Sequence, residues 1–244
     1  MRIAIVSSPR SGNTWLRCLL RDSLELQEVA VHNYLDADFI PERCVFQLHW
    51  YREPNFQRFL SEHQFQVITV ARHPLDILIS VLHFVRYEPE TAKWLGGNCE
   101  LPSLLRERSP ASREFLEYAR SFGSENLLSV TYQWWHDHSA IKVTFEDFVA
   151  APALHFQRLA EQLGVSTERI PDALAANSLD MFKALPNRHG WQGRPGLWRE
   201  LIPFENAAAI FDRHHHIFEK LGYAIEPTQL EFERAENNWG ALSR

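Results

Sequence analysis

The chain has 244 residues, 45% of them hydrophobic and 23% charged, and a formal net charge of −6. That length supports one substantial core, while the acidic balance excludes the broad basic footprint of a nucleic-acid binder and disfavours a long polyanionic ligand. Three scattered cysteines without a CxxC pair read as buried thiols of a reducing compartment, and no apolar run approaches a signal sequence or the roughly 20 residues of a membrane span, so a cytoplasmic protein with no membrane partner is expected.

Residues 2–7 open the chain as a buried strand with the β-branched centre IAIV, ended by Ser-Ser-Pro. A helix is expected over 13–26, with Leu16, Leu19, Leu20 and Leu24 at helical spacing. Next come a strand at 44–49 (CVFQLH), a helix at 53–61, and a strand at 65–71 (FQVITVA). Pro74 then stands where a helix begins. Residues 88–110 read as irregular, followed by helices at 112–122 and 124–137, a strand at 140–145 and helices at 152–163 and 205–221. Residues 186–200 read as loop. Strands and helices alternate first and helices dominate later, which favours one domain over 1–244 with an α/β, three-layer fold and a central, mostly parallel sheet.

Three stretches suggest chemistry. In PRSGNTW, a strand runs through a tight turn into a helix, the geometry of an anion site built from backbone N–H groups and the helix dipole. Gly12 permits close backbone approach. Ser11, Asn13 and Thr14 add polar donors, and Arg10 adds a planar charged fork. The G-x-x-x-x-G-K-[ST] pattern of a triphosphate loop is absent. In VITVARHPLDILIS, Arg72 ends a strand and Ser80 lies eight positions on, about two turns into a helix. Parallel strand ends gather on one sheet edge, where ligands bind. The third stretch, NRHGWQGRPGLW, is glycine-rich and basic. Each has an ordinary alternative: a capped helix, a solvated arginine, a solvated loop. Elsewhere the ordinary reading prevails. Consecutive histidines 214–216 point different ways on a helix and do not converge on a metal, Trp134 and Trp135 read as core, and Glu146-Asp147 as a helix start.

Taken together and in order, PRSGNTWL, ARHPLDILIS and RHGWQGRPGLW resemble sulfotransferases that use 3′-phosphoadenosine 5′-phosphosulfate (PAPS). YQWWHDHSAIKVTFEDF resembles that family's strand and following acidic segment, so the likeness runs from residue 2 to about 223. It implies a P-loop-like fold, PAPS as sulfuryl donor, adenosine 3′,5′-bisphosphate as product and no metal. By this resemblance Arg10 contacts the phosphosulfate, Ser11, Gly12, Asn13 and Thr14 cradle the 5′-phosphate, and Trp15 packs on adenine. Arg72, Ser80, Arg188, His189 and Gly190 match the 3′-phosphate site, and His49 in QLHWY matches the catalytic histidine. There are departures: Arg10 and His189 replace lysines, Gln47 stands where a lysine is common, Phe145 where a tyrosine is common, and the third stretch carries extra residues before Trp198. His83, Phe84, Tyr87 and Trp94 are the candidate contacts for an acceptor, expected to be a small hydroxylated metabolite, glycoside or other natural product. A P-loop nucleotide kinase, or a nucleotide-binding module without catalysis, is the alternative.

Overall fold

A computed structural model of the chain describes residues 1–184 and 190–243. Five parallel strands form one sheet: β1 (Arg2–Val6), β2 (Gln27–Ala30), β3 (Cys44–Leu48), β4 (Phe65–Ala71) and β5 (Ile141–Thr144), in the order β2-β3-β1-β4-β5. Side chains alternate across the sheet, and both faces are covered. Ala4, Val6, Phe46, Leu48 and Ala71 join one apolar cluster, whereas Ile3, Ile5, Val45, Ile68 and Val70 join another. This explains why IAIV is apolar throughout: a strand buried on both faces has no polar side.

On the second face lie α1 (Asn13–Leu24), α6 (Phe145–Ala150), α7 (Pro152–Leu163) and α8 (Ile170–Ala176). The first face is covered by α2 (Pro54–Glu62), α3 (Pro74–Phe84), α4 (Arg113–Ala119), α5 (Phe122–Trp135), α10 (Trp198–Leu201), α11 (Phe204–Leu221) and α12 (Phe232–Leu242). The short α9 (Leu179–Lys183) follows α8, and two 3₁₀ segments, Pro89–Gly97 and Ser103–Glu107, occupy the stretch expected to be irregular. Among the described residues no helix is long and apolar enough to cross a membrane.

Several boundaries differ from the sequence reading. The sheet is wholly parallel rather than mostly so. Strand β2 escaped notice because its four residues, QEVA, form a largely exposed edge. Helix α1 stops at Leu24, where Glu25 turns to φ 52°. The break between α4 and α5 falls at Arg120-Ser121 rather than at Gly123. Ser121 caps α5, and Gly123 lies inside its first turn because a Cβ there would run into the Cys99 carbonyl. Helix α6 begins at Phe145, since the Thr144 hydroxyl accepts from Asp147 N (3.2 Å) and ends the strand one residue sooner than read. Within 186–200, α10 replaces the end of the expected loop.

Strand β1 lies between β3 and β4, so the chain winds outward in both directions from it. Parallel sheets bind ligands at such a switch point, beyond the C-terminal strand ends. Residues 7–12 after β1, His49 after β3 and Arg72 after β4 all emerge on that edge.

Candidate active site

The loop after β1 is fixed by its own polar groups. Ser7 Oγ accepts from Val70 N (2.7 Å), and Thr131 Oγ1 accepts from Ser8 N (2.8 Å). Ser8 Oγ donates to the Leu128 carbonyl (3.1 Å) and accepts from Thr131 N (3.2 Å). Asn13 Nδ2 reaches back to the Ser8 carbonyl (2.9 Å). Arg10 has φ 66° and Gly12 φ 100°, left-handed conformations that aim the turn at the start of α1. A Cβ on Gly12 would lie 2.8 Å from Phe145, so that ring closes the loop from above.

A cleft of ≈ 900 Å³ opens over this loop. Of the residues singled out in the sequence, Arg10, Gly12, Asn13, Thr14, Trp15, His49, Arg72, Ser80, Phe84, Trp94 and Gly190 border it. Arg72 is buried: its Nη1 donates to the Arg10 carbonyl (2.9 Å), its guanidinium lies 4.4 Å from the Phe145 ring centre, and its Nε has no partner. Arg10 Nε donates to Ser80 Oγ (3.1 Å), and its guanidinium sits 4.2 Å from the Phe84 ring. Desolvation, then repulsion from Arg72, lower the Arg10 pKa to about 9. Burial lowers the Arg72 pKa too, against the pull of Asp76 and Glu146.

His49 Nδ1 lies 2.8 Å from the Ser7 carbonyl, which only accepts. Nδ1 therefore carries the proton, and Nε2 presents a lone pair. Desolvation, against the hydrogen bond to Ser7, lowers the imidazole pKa to about 4, so the ring is neutral at pH 7. Trp94 stands edge-on to His49 (5.9 Å) and stacks on Phe84 (5.8 Å, 5°), which builds an aromatic corner beside the imidazole.

Other expected residues are placed differently. Ser11 is buried beneath the loop and does not border the cleft; its Oγ has no partner. His83 and Tyr87 are not cleft residues either. One residue along α3 is a turn of about 100°, which carries His83 away from Phe84 to stack on Trp191 (4.4 Å, 11°), while Tyr87 OH donates to the Ser243 carbonyl (3.3 Å). Arg188 and His189 lie outside the described residues. Gln47, two residues before His49, does border the cleft.

Sequence reading missed the opposite wall, formed by Leu174, Asn177, Ser178 and Phe182, to which Trp15 Nε1 is tied through the Asn177 carbonyl (3.1 Å). Nothing in those short helices marks them as ligand-facing. It also missed Glu88 and Glu90 near Trp94, and Trp191 and Gln192 in the third stretch. Thr131, which pins the first loop, was read as ordinary helix. Of the consecutive histidines, His214 is buried while His215 and His216 face outward; Trp134 is core, donating to the Trp50 carbonyl (2.9 Å), and Trp135 is partly buried against that core.

The polar atoms of this cleft fit a nucleotide with more than one anionic group. Asn13 and Arg72 border the cleft, and Asn13 Oδ1 and Arg72 Nε are buried without partners, as is Ser11 Oγ behind the loop. Among the described residues no group of His, Cys, Asp or Glu is placed to hold a metal ion.

Comparison with known proteins agrees with this architecture. No curated protein matched the sequence significantly. Among solved structures, mouse sulfotransferase SULT7A1 complexed with PAP is similar at TM-score 0.65 and 17% identity, over 91% of this chain and 85% of that one. Retinol dehydratase is similar in its complex with androsterone and inactive cofactor PAP (TM-score 0.61, 15% identity, 94% and 82% covered). Its complex with retinol and PAP is similar too (0.62, 14%, 94% and 82%). At these identities the likeness establishes the fold. The sulfotransferase domain model matches residues 1–221, nine-tenths of the sequence, and on that match the chain belongs to the sulfotransferase family.

Proposed function

We propose that this sulfotransferase takes its sulfuryl group from PAPS and delivers it to a hydroxyl, or an amine, of a small acceptor, with His49 as the base. One observation carries the reading. A neutral imidazole, its tautomer set by the Ser7 carbonyl, faces the same cleft as the paired guanidiniums of Arg10 and Arg72. The PAP named in the similar structures supports the choice of donor.

When bound, PAPS would supply a sulfuryl group activated by its phosphate leaving group. The chain's residues divide the work. Gly12, Asn13 and Thr14, which line the cleft, hold the 5′ end together with the backbone N–H of Ser11, whose side chain is buried, aided by the start of α1. Trp15 flanks the base. Arg72 and Ser80, with Gly190 and the expected Arg188 and His189, hold the 3′-phosphate. His49 Nε2 takes the proton from the acceptor oxygen as that oxygen bonds to sulfur. Arg10 faces the charge that develops on the bridging oxygen as the bond to sulfur breaks. Phe84 and Trp94 offer the acceptor a flat apolar wall, which favours a small hydroxylated metabolite, glycoside or other natural product. We read 1–244 as a single domain, a reading supported by one sheet with a core on each face.

Thermal shift with adenosine 3′,5′-bisphosphate, set against ATP plus magnesium, tests the donor. A shift with the bisphosphate alone is expected, and a shift with ATP alone overturns the assignment. A screen of acceptors with labelled donor then identifies the acceptor.

A further inference from the structure

Segment 190–198 is pinned at both ends by distant parts of the chain. At its far end the buried carboxylate of Asp76 on α3 accepts from Gly196 N (2.6 Å) and Trp198 N (3.0 Å). At its near end Trp191 borders the cleft while its ring is gripped from behind. His83 stacks flat on it (4.4 Å, 11°), and Trp239 of α12 meets it edge-on (5.6 Å, 75°). Trp191 Nε1 donates to the Leu242 carbonyl (2.8 Å). The last carbonyls of a helix lack intrahelical partners, so the end of α12 needs a donor, and the indole supplies the shorter bond, with Gln192 Nε2 at 3.5 Å from the same oxygen. The adjoining Ser243 carbonyl accepts from Tyr87 OH (3.3 Å) and Arg86 Nη1 (3.4 Å), which fastens the same helix end to the segment following α3.

We infer that Trp191 is a positioning residue for the nucleotide cleft, and that α12, which lies beyond the sulfotransferase match at 1–221, completes the donor site by holding that indole in place. Helix α3 then serves two sides at once. Ser80 and Phe84 border the cleft, while Asp76 and His83 secure the strap that borders it from the other direction. Trp239 acts on the cleft without bordering it. The inference rests on reading the cleft as the bisphosphate site.

Calorimetric titration of the full chain with adenosine 3′,5′-bisphosphate, alongside donor kinetics, tests this. Trp191→Phe keeps the ring and removes the N–H. It should weaken bisphosphate binding about fivefold, the size of one net hydrogen bond, and raise KM for the donor more than it lowers kcat. Trp239→Leu, outside the cleft, should weaken binding in the same direction. Parent-like affinity in both variants overturns the inference, as does a kcat loss in both that merely tracks the fraction of folded protein with KM unchanged. A parent chain that does not bind the bisphosphate overturns the donor reading, and the positioning role of Trp191 with it.

Discussion

The loop after β1 and the strap at 190–198 border one cleft but are built by different means. The loop is local in its path: strand, turn and helix start follow within about a dozen residues, and Asn13 reaches five residues back to Ser8. Its distant supports, Ser7 to Val70 and Ser8 to Thr131, come from elements packed directly on β1. The strap has little structure of its own. Apart from nearby bonds such as Arg194 to Glu200, its anchors are Asp76, 120 residues away from Gly196, and Leu242, 51 residues from Trp191. The path of the loop is written in short-range sequence and only its anchors are distant, whereas the strap takes its course from distant anchors. Substitutions in and beside the loop should therefore strike chemistry and phosphate contact. Those under the strap should strike donor affinity.

The largest effect is expected at the loop's edge. His49→Ala should lower turnover by roughly 10²-fold or more while bisphosphate binding persists; near-normal turnover in that variant removes His49 from the base role. Arg72→Ala comes next. It should weaken PAPS binding by about tenfold to a hundredfold, the range of a charge-assisted hydrogen bond. A donor analogue lacking the 3′-phosphate should be much less affected, and equal losses would disconnect Arg72 from that phosphate. On the strap side, Asp76→Ala leaves two backbone donors unpaired and should raise KM for the donor by about tenfold with a smaller change in kcat. If kcat falls further than KM rises, the division between loop and strap fails.

Gly12→Ala sharpens the same contrast at a smaller scale. It places a Cβ 2.8 Å from the Phe145 ring at φ 100°, at a cost of about 1–3 kcal/mol in strain. A lower thermal midpoint with weakened bisphosphate binding is expected, and the double variant Gly12→Ala/Phe145→Ala should recover part of the binding. The least conspicuous effect is in pH. The His49 pKa is lowered to about 4, so the imidazole loses its lone pair only as pH falls through that value. The acid limb of kcat/KM should therefore lie near pH 4, well below the ~6.5 of an unperturbed histidine. A limb at pH 6.5 would point to an imidazole that is solvated, since desolvation is the chief cause of the lowered value and the Ser7 hydrogen bond opposes it.

Much of the cleft was legible because its residues sit where local rules operate. IAIV followed by Ser-Ser-Pro announces a buried strand and its end, and Gly12 before Asn13-Thr14 announces an open helix start. Arg72 ends a strand at the sheet edge and Ser80 lies about two turns into the helix that Pro74 opens, so both stand near that edge. Helical spacing misled over α3, where every residue is buried. With no solvent-facing side, periodicity alone does not tell whether His83 or Phe84 turns toward the ligand. Phe145 was read as the end of a strand, and only Thr144 acting as a cap turns it over Gly12.

The sequence alone carried the strand–turn–helix anion loop, the second arginine–serine pair and the α/β alternation, because each is a pattern of near neighbours with its own geometric consequence. The exposed edge strand β2, the wall from Leu174 to Phe182, the proton position on His49 and the grip of α12 on Trp191 came from the folded chain. Those features are pairings between residues tens to hundreds of positions apart, and their energies appear only after the sheet has brought the partners into contact.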